Sequence, residues 1–170
     1  EPEEVRVWLE VMNEGGGREI PIFNELSASL AYILTLYRHR PKMIHELERQ
    51  IDAYAEAQAA EVGYIGDHVR ILNCGSIKNV KIGDYAELMG VSRLKNGTIN
   101  SNESAPVRLG SGVKCIDFIL SSGVEIGDST LVDKCFVGQG TIFDKHYSAG
   151  ESLFFSNCQE ENGEACAIFA

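Results

Sequence analysis

An internal repeat constrains the fold of this chain more than any other feature of its sequence. An aliphatic residue, a glycine and an aspartate or serine recur four times, at Ile65-Gly66-Asp67, Ile82-Gly83-Asp84, Leu109-Gly110-Ser111 and Ile126-Gly127-Asp128. The glycines are 17, 27 and 17 residues apart, so the middle interval is the same period enlarged by ten. A fixed period of this length indicates a solenoid, in which each repeat packs on its neighbours and like residues stack in columns.

The residues around the four steps show such columns. Positions three and five after each glycine are apolar or small, and Cys115 is one of them, whereas position two is polar or otherwise not of core type. Within a copy, Ile82, Leu88 and Leu94 fall six residues apart. This six-residue rhythm with Gly-Asp corners predicts a mainly β chain folded as a β-helix over 63–155. The Gly, Asn, Ser and Pro residues of 95–106 predict that the extra ten residues form a loop.

The chain before the repeat predicts β structure followed by a helical hairpin. In 1–23, Val5, Val7, Leu9 and Val11 alternate with polar or exposed types, which predicts a strand of an earlier coil. Apolar residues recur at helical spacing over 24–62, and Pro41 suits the first turn of a second helix. The hairpin must bury its apolar stripes against each other, against the side of the β-helix, or against a partner subunit.

The chain after the repeat predicts a less regular fifth coil. The 17-residue period puts its corner at Phe143-Asp144 and turns Tyr147 and Ala149 inward. For 156–170 we expect an irregular capping segment, and its apolar end is typical of a chain cut within a strand.

Composition excludes several classes of function. The net charge of -10 argues against nucleic acid as a partner, because neutralising phosphates requires an excess of lysine and arginine. Five cysteines without a Cys-x-x-Cys motif indicate free thiols in the cytoplasm, and no metal site is expected. No apolar run approaches the roughly 18 residues of a membrane span.

These residues resemble the left-handed parallel β-helix of hexapeptide-repeat transferases, here with an inserted α-helical hairpin. More narrowly, 36–41, 97–102 and 152–170 are similar to an uncharacterised bacterial family. Its members are described as domain-of-unknown-function proteins or relatives of UDP-N-acetylglucosamine pyrophosphorylase. The resemblance implies members that are longer at both ends, so we expect this chain to be a fragment. It also implies a homo-oligomer, with a trimer favoured, that binds an acyl thioester such as acyl-CoA, or a sugar nucleotide, between subunits.

The resemblance further implies one histidine acting as general base on the acceptor. His146 is the better candidate, because Asp144 and Glu151 are close in sequence and either could orient its imidazole. His68 occupies the same position relative to its repeat. The alternative is that His146 is an ordinary exposed turn residue.

Two further groups are candidate ligand contacts. Arg38, His39, Arg40 and Lys42 concentrate positive charge at the corner between the helices and could hold a phosphate or carboxylate. The alternative is that these cations only offset the dipole at the C-terminus of a helix. Asn100 and Asn102 could bind sugar hydroxyls, although Asn-rich loops are usually solvated turns.

Two functions therefore stay open. The first is a transferase-like protein, related to acyltransferases or nucleotidyltransferases, that binds a nucleotide sugar or acyl thioester at a subunit groove. The alternative is a non-catalytic oligomerisation or regulatory module of a larger protein.

Overall fold

The computed structural model describes residues 6–12 and 16–170. The chain begins with two short strands and two helices: β1 (Trp8–Leu9), β2 (Ile20–Pro21), α1 (Ala28–Leu36) and α2 (Pro41–Gln58). The solenoid strands follow: β3 (Tyr64–Ile65), β4 (Arg70–Leu72), β5 (Ser76–Ile82), β6 (Glu87–Met89), β7 (Arg93–Ile99), β8 (Arg108–Leu109), β9 (Lys114–Leu120), β10 (Glu125–Ile126), β11 (Leu131–Val137), β12 (Ile142–Asp144), β13 (Ser148–Phe154), β14 (Gln159–Glu161) and β15 (Glu164–Cys166). Neither described helix is long and apolar enough to cross a membrane.

The solenoid strands form two parallel sheets that the chain visits in turn. One sheet has seven strands, in the order β15-β13-β11-β9-β7-β5-β3, and the other has six, in the order β14-β12-β10-β8-β6-β4. Every pair within them is parallel and joins neighbouring coils. The chain is therefore a mainly β parallel solenoid of about six turns with two helices, which confirms a β-helix with a helical insertion. The left-handed sense of the coil stays a prediction.

Each seven-residue strand bends at one residue with positive φ. The bends are at Asn79, Asn96, Asp117, Lys134 and Glu151, with φ between 48° and 54°, and the pairing register omits them. Residues before the bend, such as 76–78, form face A of the solenoid, and those after it, such as 80–82, form face B. The six-stranded sheet is face C. A coil thus has an AB bend, a BC corner and a CA corner.

The interior of the solenoid is filled by columns of inward side chains. Leu88, Leu109, Ile126 and Phe143 form one such column from face C, and all four are at most 2% exposed. Full burial of side chains of this size contributes about 1.5–3 kcal/mol each. Cys115, Tyr147 and Ala149 are also buried in this core, as their positions in the repeat predict.

The helices and the first two strands cover the outer side of face B. Ile119, Phe136 and Leu153 point outward from this face and belong to a second apolar cluster with residues of α1 and α2, including Leu34 and Ile44. Pro41 is the first residue of α2, as expected. Of the three burial sites considered for the hairpin, the structure shows the side of the β-helix.

The first strands are not part of an earlier coil. β1 and β2 form a two-residue antiparallel pair, and Leu9 and Ile20 pack in the cluster outside face B. Alternating residues indicate that one side of a strand is buried, but they do not identify the strand that it pairs with. Val5, which we included in the predicted strand, lies outside the described residues.

The four glycine steps do not share one column, which corrects the predicted register. Ile82 lies beside Ile99 in face B, whereas Leu109 lies between Leu88 and Ile126 in face C. The first two steps therefore close the BC corner and the last two close the CA corner. Two different corners use the same short Gly-Asp turn, so similarity of sequence did not mean equivalence of position.

The predicted loop over 95–106 begins too early for the same reason. Strand β7 includes residues 95–99, and the loop is confined to 100–107. Ile99 pairs with Leu120, an offset of 21 residues, whereas Ile82 pairs with Ile99 at the usual 17. The insertion is therefore four residues long rather than ten.

Residues 156–170 continue the solenoid instead of forming an irregular cap. β14 pairs with β12 and β15 pairs with β13, so a sixth coil follows the fifth in register. Its inward positions in face C include Glu160, beside the buried Phe143. Gln159 and Glu161 are exposed on the outer side of this coil, so the polar composition of the segment did not exclude a strand.

Candidate functional site

A cleft of about 510 Å³ lies between the start of α1 and the BC corner of the solenoid. One wall comes from the segment that leads into the helix: Asn24, Glu25, Leu26, Ser27 and Ala28. The other wall comes from neighbouring coils: Asn100, Ser121, Ser122, Phe136, Gly138, Gln139, Phe155 and Ser156. Its volume is within the range of about 300–1,000 Å³ that small-molecule sites usually have.

Small residues at the BC corner make the solenoid wall of this cleft. The backbone N–H of Ser121 donates to the carbonyl of Val137 at 2.8 Å, and that of Gly138 donates to Phe154 at 2.6 Å. A Cβ on Gly138 would lie 2.2 Å from the carbonyl oxygen of Phe155, so this corner accepts only glycine without a shift of the backbone. The coils can therefore stack closely here.

The lining combines apolar and uncharged polar groups. Phe136 and Phe155 contribute aromatic surface, with ring centroids 5.8 Å apart. Hydroxyl and amide groups come from both walls, and Asn100 Nδ2 donates to Asn24 Oδ1 at 3.2 Å, which joins the walls. Glu25 is the one titratable residue among the lining residues that the structure describes. The cleft is therefore suited to a ligand with hydroxyl groups.

The first turn of α1 adds a partial positive charge to the cleft. Ser27 is the N-cap, and its Oγ accepts a hydrogen bond from the N–H of Leu30 at 3.3 Å. The N-terminus of a helix attracts anions because its first N–H groups lack partners within the helix. An anionic part of a ligand would be best placed on this side of the cleft.

Of the two asparagines predicted to bind sugar, Asn100 lines the cleft and Asn102 does not. Asn102 Oδ1 accepts hydrogen bonds from the N–H of Ser104 at 3.1 Å, the Oγ of Ser104 at 2.7 Å and the N–H of Ala105 at 3.0 Å. This is the way in which Asn side chains hold tight turns. Asn102 therefore shapes the loop over 100–107.

Two residues of the predicted catalytic group, Asp144 and His146, lie at the CA corner, and the third, Glu151, lies away from them. His146 is exposed at the CA corner with a φ of 65°, and Asp144 Oδ1 accepts from the N–H of Lys145 at 2.7 Å. Glu151 lies at the AB bend, where it pairs with Lys134 at 2.7 Å and raises the pKa of that lysine through their hydrogen bond. In the described part of the chain, His146 has no polar contact with either carboxylate. Its role as a base stays a prediction.

His68 lies at a different corner from His146, although the two have the same position relative to their repeats. Its ring stacks on Tyr85, with centroids 4.7 Å apart and an interplanar angle of 28°. Burial raises the pKa of Tyr85, and Glu103 on the 100–107 loop adds to this effect by charge and hydrogen bonding. His68 and Tyr85 therefore lie at the BC corner, where the cleft also lies, but on coils that come earlier in the chain. The sequence alone did not show that the two histidines lie at different corners, because the Gly-Asp steps close both corners.

The basic group at the helical corner is partly used inside the protein. Arg38 is half-buried, donates to the carbonyl of Glu19 and pairs with Glu48 at 3.3 Å. His39 lies beside the ring of Tyr37, with centroids 5.5 Å apart. Arg40 and Lys42 are exposed at the start of α2. Anion binding by this group stays a prediction, and Arg40 and Lys42 would have to carry it.

The described residues contain no group of three or more His, Cys, Asp or Glu side chains that could hold a metal ion. The buried thiols are also poorly suited to chemistry. Burial raises the pKa of Cys115 and raises that of Cys135 to about 12. Both therefore stay protonated near neutral pH, and a thiol without its thiolate is a weak nucleophile and metal ligand.

Comparison with known proteins places the chain in a family. The family model of a domain of unknown function, DUF4954, matches residues 4–170. The chain belongs to the DUF4954 family. A relative named "Uncharacterized protein" from Treponema pallidum (strain Nichols) is 28% identical over 120 residues, which are 71% of this DUF4954 chain and 17% of the relative. The chain therefore matches about one sixth of the length of that protein. No solved structure matches the chain.

Proposed function

We propose that this DUF4954 chain binds a sugar nucleotide in the cleft between α1 and the BC corner. The observation that carries the proposal is the lining of that cleft. Uncharged hydroxyl and amide groups from five segments of the chain surround aromatic surface, and a helix N-terminus lies beside them. Acyl-CoA also contains an aromatic base and a diphosphate, but a sugar nucleotide adds a sugar ring whose hydroxyl groups match the uncharged polar lining.

Each part of such a ligand has a counterpart in the cleft. Ser121, Ser122 and Gln139 can both donate to and accept from sugar hydroxyls. Phe136 and Phe155 offer apolar surface to a sugar ring or a base. The first turn of α1 favours a phosphate group by its partial positive charge.

An acyl thioester fits this cleft less well. Its long pantetheine arm would be expected to need an extended groove, whereas this cleft is confined to the BC corner beside α1. The cleft also lies within one chain, whereas the resemblance implied a groove between subunits. Acyl-CoA therefore stays the alternative ligand, and it serves as the comparison compound in the test.

Binding rather than turnover is the proposal for this chain. The lining contains no histidine among the described residues, and His146 and Glu151 lie at other corners. Transfer chemistry on the bound sugar nucleotide would then belong to the longer protein. A relation to UDP-N-acetylglucosamine pyrophosphorylase would be consistent with that division, and it is part of the proposal.

The test is a thermal-shift screen with UDP-, GDP- and dTDP-sugars and with acyl-CoA. A ligand present at about 100 times its dissociation constant should stabilise the chain by roughly 2.7 kcal/mol. We expect a shift with one sugar nucleotide, and we expect Ser122→Trp, which fills the cleft, to abolish it. Ser148→Trp is the matched control, because Ser148 lies on face A, away from the cleft.

Two results would overturn this proposal. One is the absence of a shift with every sugar nucleotide together with a shift for acyl-CoA. The other is an equal response of the Ser122→Trp and Ser148→Trp variants to the ligand, which would mean that the binding site is elsewhere.

A specific observation also favours an assembly role as a second function. Face C of the solenoid carries exposed apolar side chains, among them Leu72, Met89 and Ile142. The two functions use different faces and do not exclude each other.

A further inference from the structure

Face C is a face of a parallel sheet whose outer side is open to solvent in the described part of the chain. The inner side of this sheet packs in the core, and the helical hairpin covers face B rather than face C. The outer side of face C exposes Leu72, Met89 and Ile142 by 46%, 39% and 38% of their surface. A surface of this kind favours contact with another protein surface.

The outward charges of face C alternate in sign along the solenoid. The register stacks Arg70, Glu87, Arg108 and Glu125 in one column, one residue from each of β4, β6, β8 and β10. Neighbours in the column form ion pairs at 3.6, 3.8 and 2.9 Å. Because these pairs are exposed, they add little to the stability of a single chain.

The next outward column changes from large apolar residues to glycine. Leu72 and Met89 occupy it on β4 and β6, and Gly110 and Gly127 continue it after β8 and β10. A Cβ would lie 2.4 Å from Asp128 Oδ1 at Gly110 and 2.0 Å from Asp144 Oδ1 at Gly127. A larger residue would have to displace these aspartate side chains, and the two glycines leave a shallow groove of about 300 Å³ beside Met89.

We propose that face C binds face C of a second copy of this chain, about a two-fold axis parallel to the strands that passes between β6 and β8. Such an axis reverses the order of the coils, so β4 faces β10 and β6 faces β8. Arg70 then faces Glu125 of the second copy, and Glu87 faces its Arg108. In the other column, Leu72 faces Gly127 and Met89 faces Gly110, so large side chains enter the groove left by the glycines.

The charges select this register over its neighbours. If the axis moved onto β8, Glu87 would face Glu125 and Arg108 would face itself. If it moved onto β6, Arg70 would face Arg108. Like charges facing each other are unfavourable. A two-fold contact is isologous and needs a self-complementary surface, and this column is self-complementary about its centre.

The size of the contact indicates a weak dimer. Neighbouring strands are about 4.8 Å apart, so the four strands that face their counterparts span roughly 15 Å between the outermost ones. With about 10 Å along three residues of each strand, the contact covers roughly 150 Å² per partner, which is small beside the roughly 800 Å² of a stable interface. The dimer should therefore form in the micromolar range or above, and only a concentration series will detect it.

Sedimentation velocity over such a series, with variants of the charge column, tests the proposal. The wild-type chain should change from the 18.7 kDa monomer to twice that mass as its concentration rises. Arg108→Glu places Glu against Glu87 of the second copy twice by symmetry, so this variant should stay monomeric. Arg93→Glu is the control, because it makes the same charge change at an exposed arginine of face A.

A charge swap separates contact between chains from contact within one chain. In Glu87→Arg/Arg108→Glu the column reads Arg, Arg, Glu, Glu, so every facing pair about the axis is again opposite in sign. Within one chain, by contrast, Arg70 then lies beside a second arginine at position 87, and Glu125 lies beside a second glutamate at position 108. Both of these neighbouring pairs therefore have like charges. The swap should therefore restore the dimer that Arg108→Glu loses.

Three results would overturn the proposal. They are a wild-type chain that stays monomeric at the highest concentration, an Arg108→Glu variant that still dimerises, and a charge swap that stays monomeric while its circular dichroism shows the native fold. A trimer in place of a dimer would also contradict the two-fold axis.

Discussion

At the scale of single residues, the solenoid depends on positions where a side chain has no room. Gly138 is the clearest case, because its missing Cβ would meet the backbone oxygen of Phe155 rather than a movable side chain. Gly150 is a useful contrast, since the nearest atom to its Cβ position is 4.0 Å away, at Asp133. The two glycines lie in successive coils, Gly138 at the BC corner and Gly150 within β13 on face A.

Replacing Gly138 by alanine should therefore lower the free energy of unfolding by about 1–3 kcal/mol, because coils at the BC corner would have to separate. Gly150→Ala should change it by about 0.5 kcal/mol or less. Urea denaturation of both variants measures the difference. Equal losses would mean that the BC corner can relax and that the close stacking described for the cleft wall is not required.

The buried thiol of Cys135 makes stability depend on alkaline pH. Burial raises its pKa from 9.0 to about 12 in the folded chain, so the folded state holds the proton longer than the unfolded state. The stabilisation of the folded state by the protonated thiol is complete below pH 9 and is lost as the pH rises towards 12. Cys135→Ala should be less stable at neutral pH but should lose less stability between pH 9 and 12.

The measurement for Cys135 is the free energy of unfolding against pH, in which one proton changes the slope by about 1.4 kcal/mol per pH unit. Cys166→Ala is the control, because Cys166 is exposed in the last coil. If the slopes of the wild type and Cys135→Ala agreed, the thiol of Cys135 would titrate in the folded chain as it does in water.

At the scale of elements, the loop over 100–107 is an insertion into one corner of a regular coil. The equivalent corner between β5 and β6 has four residues, 83–86, and the loop has four more. Asn102 and Ala105 close a turn within it, and its few outside contacts include a hydrogen bond from the N–H of Gly123 to the carbonyl of Ala105 at 2.9 Å and one between Glu103 and Tyr85. Surface turns of this kind usually tolerate changes of length.

Deleting 102–105 should leave a folded chain with a melting temperature close to that of the wild type, because a four-residue corner would remain. Deleting 95–98 removes the same number of residues from β7 and should prevent cooperative unfolding, because it shifts the register by four. Circular dichroism melts compare the two. If the 95–98 deletion melted more cooperatively than the 102–105 deletion, the result would support the predicted loop over 95–106.

At the scale of the whole molecule, the glycine period predicted the fold class and the 17-residue coil. It also predicted that Tyr147 and Ala149 of the fifth coil turn inward, but the later position, Phe155, packs outside the solenoid core. It misplaced the columns because the Gly-Asp turn closes two different corners, which only the strand register distinguishes. The cleft could not be predicted, since its walls join 24–28 to residues near 100, 121, 138 and 155. The stretch from 156 was predicted to be an irregular cap because it is polar, but exposed outward side chains make a coil polar as well.

The proposed ligand contact is tested most directly by ¹H–¹⁵N correlation spectra of the chain during titration with the sugar nucleotide that gives the largest thermal shift. Our account predicts that amide signals change at Ala28, Ser121, Ser122 and Gln139, and that those of Arg40, Lys42 and His146 do not. Changes confined to Arg40 and Lys42, or to the corner of His146, would contradict it and would move the binding site away from the cleft.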